Sequence, residues 1–467
     1  MTTPLSRLLP FASALIIAGA LVYVRLISAD FSPNLKTQSH PVTALTICLL
    51  LAGAAWIGLV FYFRRKLSHS AWLFPLLILG GLALRLSFFD SQPIYENDYK
   101  RYLWDGAVTA TGSNPYEYSP KEIYQASRPG AASVPKLARL AVLSNQADEL
   151  TDEINSSTLT TIYPPAAQAV FAGAYVIAPF DPNGLRGAFL LLELLGFFIL
   201  LFALKRFGKP IEWAALYWLN PIIILSTYNG IHMDVLLVLP LWLALLFIKK
   251  RPTLSAVALS LAATIKIWPL LLAPILFRDW FRHRLKYIGI AALVAVLTGL
   301  SLLPMLLSLK EQSGLAAYSA NWTNSSFLFP LIRDGLALFA EDPNRLARYV
   351  IAALLVGLSL SLGFLKSRKP DDIPLDLMAL SVAFVLLSPT GYPWYFIWFY
   401  LFLPFVLKSW MARGVSLLTL GATSYYIRFL LGESGRYDIY THILLPLEFG
   451  IPILILAWDG WKAKRHA

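Results

Sequence analysis

The chain is expected to fold as an all-α polytopic membrane protein, a single integral membrane domain over residues 1–467. Three observations predict this. Hydrophobic residues make up 57% of the sequence and charged residues only 14%, against about 25% charged in soluble domains. Apolar runs recur at 11–28, 42–62, 71–89, 187–204, 212–227, 233–248, 287–309, 349–365, 374–388, 393–407, 414–431 and 443–458. Many approach the roughly 20 residues a helix needs to cross a bilayer. Basic clusters alternate with acidic, aromatic loops between these runs, as in a chain threaded repeatedly through a membrane.

The first run follows a single early basic residue, Arg7, and has no evident small-residue cleavage site. It is therefore expected to be a retained helix, not a removed signal peptide. Basic groups follow at Arg64-Arg65-Lys66, Lys205-Arg206 with Lys209, Lys249-Lys250-Arg251, the 278–286 segment, Lys366 to Lys369, and Lys462 to Arg465. The positive-inside rule places them in the cytoplasm. The loops 89–161, 310–346 and 432–441, which hold most acidic residues, then face outward. Two segments break simple alternation. Segment 165–180 is only moderately long, and 252–277 has basic residues on both flanks and a Lys266-Ile267-Trp268-Pro269 interruption. Alternation is restored if 165–180 is re-entrant and 252–277 is a pair of short broken helices, which membranes tolerate around an enclosed cavity. The expected bundle has about 12–14 transmembrane or re-entrant helices with both termini cytoplasmic. The outer loop 89–161 is too long for an idle connection. It is expected to carry short amphipathic helices, one within 134–150, lying over the bundle.

A net charge of +12 is explained by cytoplasmic loops and does not indicate nucleic acid. The single cysteine, Cys48, excludes an intrachain disulfide. No GxxxxGK[ST] loop is present, so nucleotide hydrolysis is not the expected driving force. No cofactor is required: His232-x-Asp234 alone is not a metal site, and no tighter cluster has ligand spacing, although a divalent metal remains open.

The chemistry-bearing residues gather on the outer side. Residues 96–106, Glu-Asn-Asp-Tyr-Lys-Arg-Tyr-Leu-Trp-Asp-Gly, place carboxylates, cations and aromatics at the mouth of a membrane helix, where ionisable groups are costly without a use. Asp98 or Glu96 is a candidate general base; each is otherwise a solvated loop charge. Arg85, Lys100, Arg101 and Lys266 are candidate phosphate ligands. Arg85 lies near a helix end and is otherwise a snorkelling cation. Asp105 is a candidate site residue but also sits four residues from Arg101 on one helical face. Asn114, Tyr163 and Gln168 lie on the same side. His232 and Asp234 begin a helix, where the dipole alone favours a carboxylate. Tyr102, Trp394 and Tyr395 suit sugar stacking, and equally suit an interfacial aromatic belt. Together these groups suit transfer from a lipid phosphate to a hydroxyl acceptor.

These motifs resemble bacterial polytopic mannosyltransferases of the GT-C superfamily. The resemblance rests on E-N-D-Y-K-R-Y-L-W-D-G at 96–106 and G-S-N-P-Y at 112–116. It continues through Y-P-P-A-A-Q at 163–168, W-L-N-P at 218–221, H-M-D at 232–234, K-I-W-P-L-L-L-A-P at 266–274 and S-P-T-G-Y-P-W-Y at 388–395. Each motif is short, but they occur in the family order across most of 85–400. The resemblance implies a GT-C-like bundle with a catalytic acid in its first outer loop. It implies inverting transfer of a sugar, mannose in this family, from a polyprenyl-phosphate donor to a lipid-linked or glycan hydroxyl. The family's loop acid falls on Asp98, with Glu96 as its rival. Lys266 matches the family's K-x-x-P, and Arg85 is the alternative phosphate ligand if Lys266 lies too deep. The expected place is the bacterial inner membrane, with the site facing outward. The short tail after the last run disfavours an oligosaccharyltransferase. A transporter or flippase of a lipid-linked sugar is the alternative class; it calls for polar residues at the midplane and two similar halves.

Overall fold

The computed structural model describes residues 4–32, 39–65, 72–128, 135–280, 283–310, 313–365 and 372–465. Of the expected basic loops, Lys66, Arg282 and the 366–369 cluster lie outside the described residues, as does 129–134 of the outer loop. Among the described residues the regular structure is helical, with one isolated bridge between Asn324 and Thr390. The protein is an all-α polytopic membrane protein.

Among the described residues, seven helices are long and apolar enough to span a membrane: Leu8–Phe31, Val42–Arg65, Leu73–Asp90, Pro182–Arg206, Leu285–Leu307, Pro343–Phe364 and Tyr437–Arg465. A further apolar pair, Pro221–Asn229 and Met233–Phe247, meets at 113°, the geometry of a broken span or a re-entrant loop. Shorter apolar helices occupy Pro165–Ile177, Pro252–Ala263 and Ile373–Leu387. Several apolar runs are therefore divided rather than continuous, and proline accounts for the divisions. Asn220 caps the helix that opens with Pro221, its side chain accepting from the amides of Ile222 and Ile223. Pro269 and Pro274 divide 252–277 into Pro252–Ala263, a 3-10 turn at Trp268–Leu272 and a short helix at Ala273–Leu276. Pro393 and Pro404 likewise open short pieces of 393–406. Irregular backbone here is surrounded by protein: residues 393–406 are buried throughout, as membrane depth demands.

Polar contacts tie the elements together. Arg64 donates to the carbonyls of Leu407 and Ser409, Arg413 pairs with Asp459, and Arg278 pairs with Asp376. Arg25 reaches Asp90, Lys100 reaches Glu153, and the Tyr116 hydroxyl donates to the Tyr163 carbonyl.

The long loop after Asp90 folds into helices at Asp98–Ala110, Pro120–Ala126, Pro135–Gln146 and Asp148–Glu153. A capping box between Ser119 and Glu122 starts the second of these. The helices share a small core of Trp104, Val108, Ile123, Leu140 and Leu143. The first of them crosses Pro165–Ile177 so closely that a Cβ on Gly106 would lie 2.4 Å from the Phe171 carbonyl oxygen. Backbone cannot yield as a side chain can. Gly106→Ala is therefore expected to destabilise the protein by about 1–3 kcal/mol and to shift the helix that begins at Asp98. Thermal unfolding in detergent measures this; an unchanged melting temperature would contradict the close crossing.

Candidate active site

Two left-handed turns present the central groups. Tyr95 has φ +57° and is followed by Glu96; Ile231 has φ +56° and is followed by His232. Asp98 is the first residue of its helix, where the dipole favours a carboxylate. His232 sits between the two acids, with Nε2 at 3.2 Å from Glu96 Oε2 and Nδ1 at 3.9 Å from Asp98 Oδ2. Neither ring nitrogen makes an aligned hydrogen bond. The imidazole stacks on Trp394 at 3.6 Å, and Trp394 stacks on Tyr392 at 4.3 Å.

Exposure separates the acids. The Glu96 side chain is 7% exposed, whereas that of Asp98 is 35% exposed. Burial pushes Glu96 well above the usual carboxylate range, and the Arg428 charge and Tyr425 hydroxyl pull it partly back. Asp98 is also raised, first by desolvation. His232 and Lys266 act against that rise, and Glu96 and Asp234 add to it.

Lys266 completes this face. It lies in the break between Pro252–Ala263 and Trp268–Leu272. Its Nζ donates to Asp234 Oδ1 at 2.7 Å, an oxygen that also accepts from Trp398 Nε1 at 2.6 Å. The ammonium lies 4.6 Å from the Tyr395 ring and 4.9 Å from that of Trp398. Tyr395 in turn contacts the Tyr318 hydroxyl at 3.0 Å. Tyr102 and Tyr163 meet edge to face at 4.9 Å, and both lie within electrostatic reach of Asp98.

The structure thus brings together Glu96, Asp98, Tyr102, Tyr163, His232, Asp234, Lys266, Trp394 and Tyr395. Other sequence candidates are committed elsewhere. Arg101 Nε donates to Asp105 Oδ1 at 2.8 Å, and Gln168 donates to Asp105 Oδ2 at 3.2 Å and Thr161 at 3.0 Å. This triad ties the loop helix to Pro165–Ile177. Lys100 pairs with Glu153 on the loop's own helices, and Asn114 bonds Ser308. Arg85 is 0% exposed. Its guanidinium is taken by Glu193 at 2.7 and 2.9 Å and by the carbonyls of Gly81 and Trp218. Four of its five N–H donors are thus engaged within the bundle.

Sequence reasoning passes over Arg428, Tyr425 and Trp398, and meets Tyr392 only as part of the 388–395 motif. Arg428 donates to Asn324 and Ser325 and lies 3.9 Å from the Tyr425 ring. An arginine inside the apolar run 414–431 was the available signal, the same one that marks Lys266. Among the described residues, no group of three or more His, Cys, Asp and Glu is arranged to hold a metal ion.

A half-open carboxylate thus lies beside an imidazole, a partly exposed ammonium and stacked aromatics, set in a helical membrane bundle. Residues 10–282 match the family model described as Alpha-(1->6)-mannopyranosyltransferase, N-terminal domain. The chain belongs to this family of membrane mannosyltransferases. It is similar to Alpha-(1->6)-mannopyranosyltransferase A of Mycobacterium tuberculosis (strain ATCC 25618 / H37Rv), 22% identical over 432 residues that cover 83% of this chain and 74% of the relative. No solved structure matches it. The family match spans Glu96, Asp98, His232, Asp234 and Lys266; Trp394, Tyr395 and Arg428 lie beyond it.

Proposed function

We propose that the chain transfers mannose from a polyprenyl-phosphate donor to a hydroxyl of a lipid-linked or glycan acceptor, with inversion. The site would face outward from a bacterial inner membrane, with both termini cytoplasmic, as the basic loops suggest. The linkage formed would be the α-(1→6) bond for which the family is described. The observation that carries this reading is Asp98, the more exposed of two acids flanking His232 and within electrostatic reach of the Lys266 ammonium. Asp98 takes the proton of the acceptor hydroxyl as its oxygen attacks the anomeric carbon. The bond from that carbon to the phosphate oxygen breaks on the opposite side, and polyprenyl phosphate leaves with the electron pair. Lys266 stabilises the leaving phosphate; Asp234 and Trp398 hold the ammonium in place. Trp394 and Tyr395 offer ring faces to the sugars.

The test supplies purified protein in liposomes with mannosyl-phosphoryl-polyprenol or with a nucleotide-mannose, together with a mannoside acceptor. Transfer from the lipid donor alone is the expected result, with a product of inverted anomeric configuration. Transfer from the nucleotide sugar, or movement of intact lipid-linked mannose across the bilayer without transfer, would overturn the reading.

A further inference from the structure

Two buried side chains outside the reacting cluster join the segments that bear its groups. The first segment runs from Phe89 to Glu96 and feeds Asp98. The second runs from Leu225 to Asp234 and carries His232. Asn229 is 1% exposed and reaches from the second to the first. Its Oδ1 accepts from the Ile94 amide at 2.9 Å, and its Nδ2 donates to the Gln92 carbonyl at 2.7 Å and to Ser91 Oγ at 3.2 Å. Arg186, 3% exposed on the Pro182–Arg206 helix, bridges both from the other side. Its Nε donates to the Tyr228 carbonyl at 2.7 Å, one terminal nitrogen to the Ser91 carbonyl at 2.8 Å, and the other to the Phe89 carbonyl at 3.0 Å.

These bonds hold a conformation that the chain would not keep unaided. Tyr95 and Ile231 both lie in the left-handed region. For a β-branched residue this is a true outlier, and such outliers persist only where their surroundings over-determine them. Each immediately precedes a member of the cluster, Glu96 or His232. The two turns also approach very closely. A Cβ on Gly230 would lie 3.0 Å from the His232 ring and 3.3 Å from Glu96 Cγ. Leu225–Asn229 is a π-helical turn, a form common at functional sites.

We propose that Arg186 and Asn229 are positioning residues that hold these two strained turns in register. They fix His232 between Glu96 and Asp98 without touching substrate. The inference rests on Asp98 acting as the base. Arg186 donates to the carbonyls of Phe89, Ser91 and Tyr228 and to Asn183 Oδ1 at 2.9 Å, and Asn229 to the Gln92 carbonyl and Ser91 Oγ, so both side chains are spent chiefly on the protein's own turns. A misplacement of about 1 Å at a reacting pair costs on the order of 100-fold in rate. Loss of the pair is expected to appear in turnover before it appears in binding.

The test compares Asn229→Ala and the milder Arg186→Lys with wild type and Asp98→Asn in the liposome transfer assay. Lysine keeps the charge but cannot bridge three carbonyls with a planar fork. Turnover is expected to fall about 100-fold in Asn229→Ala, and less in Arg186→Lys, while the KM for the lipid donor stays within about twofold. Hydrogen exchange at the Ile94 amide is expected to accelerate in Asn229→Ala, because Asn229 Oδ1 is its acceptor. Unchanged turnover with faster Ile94 exchange would overturn the proposal. So would parallel loss of turnover, donor binding and melting temperature in both variants, which would mark a purely structural role. Full activity in Asn229→Ala beside an inactive Asp98→Asn would reject the positioning role and leave the base intact. A fully active Asp98→Asn would reject the base itself.

Discussion

Asp98→Asn is expected to lower transfer by about 10²–10⁴-fold, the range that general-base catalysis supplies, while binding of the lipid donor is retained. Asparagine preserves the shape and the start of the helix but cannot accept a proton. Glu96→Gln is expected to cost less, because Glu96 is 7% exposed and lies behind His232, with no open edge for an acceptor. The pH profile gives a second measurement. A base works only when ionised, and Asp98 is raised above the ordinary aspartate range, chiefly by desolvation. Turnover should therefore fall on acidification at a pH above that range, as Asp98 takes up its proton, with the donor KM little changed. Rates near wild type in Asp98→Asn, or a larger loss in Glu96→Gln, would exchange the roles of the two acids.

The sequence makes the membrane class, the two polarities of its loops and the acid-rich start of the first outer loop legible, because these depend on composition and local order. The broken 252–277 segment and the short 165–177 helix follow from apolar length and proline, whereas helix 98–110, amphipathic and without proline, is legible only as one of the short helices of the outer loop. What it cannot show is which ionisable groups share a partner. Asp234 and Lys266 are 32 residues apart and meet at 2.7 Å; Arg85 and Glu193 are 108 apart. Both pairs form because a lone charge in an apolar bundle is far more costly than a paired one. The same rule ranks the candidates once the folding is known. Lys266 is paired but keeps 18% of its side chain open beside the aromatics, whereas Arg85 keeps none. Arg428, hidden in an apolar run, becomes visible only when the fold brings it to Glu96.

Arg85→Met is expected to destabilise the protein by about 3–5 kcal/mol, the cost of leaving one member of a buried ion pair without its partner. The pair is fully enclosed, both side chains being 0% exposed. Glu193 also accepts from the hydroxyls of Tyr217 and Tyr228, and the guanidinium lies 3.5 Å from the Trp218 ring centroid. Without Arg85 those two hydroxyls cannot replace the lost charge. Glu193→Leu should fail similarly, because it strands the arginine. The double variant Arg85→Met with Glu193→Leu is expected to recover most of the lost stability, since apolar replacement of a whole buried pair is often neutral or favourable. Thermal unfolding in detergent measures all three, and the transfer assay separates the two roles open to Arg85. If Arg85 serves only the bundle, the double variant keeps its donor KM. If it holds the donor phosphate, the double variant loses donor binding however stable it becomes. The full burial of the guanidinium argues for the first outcome: its side chain is 0% exposed, and every interaction it makes is with Glu193, a carbonyl or an aromatic face.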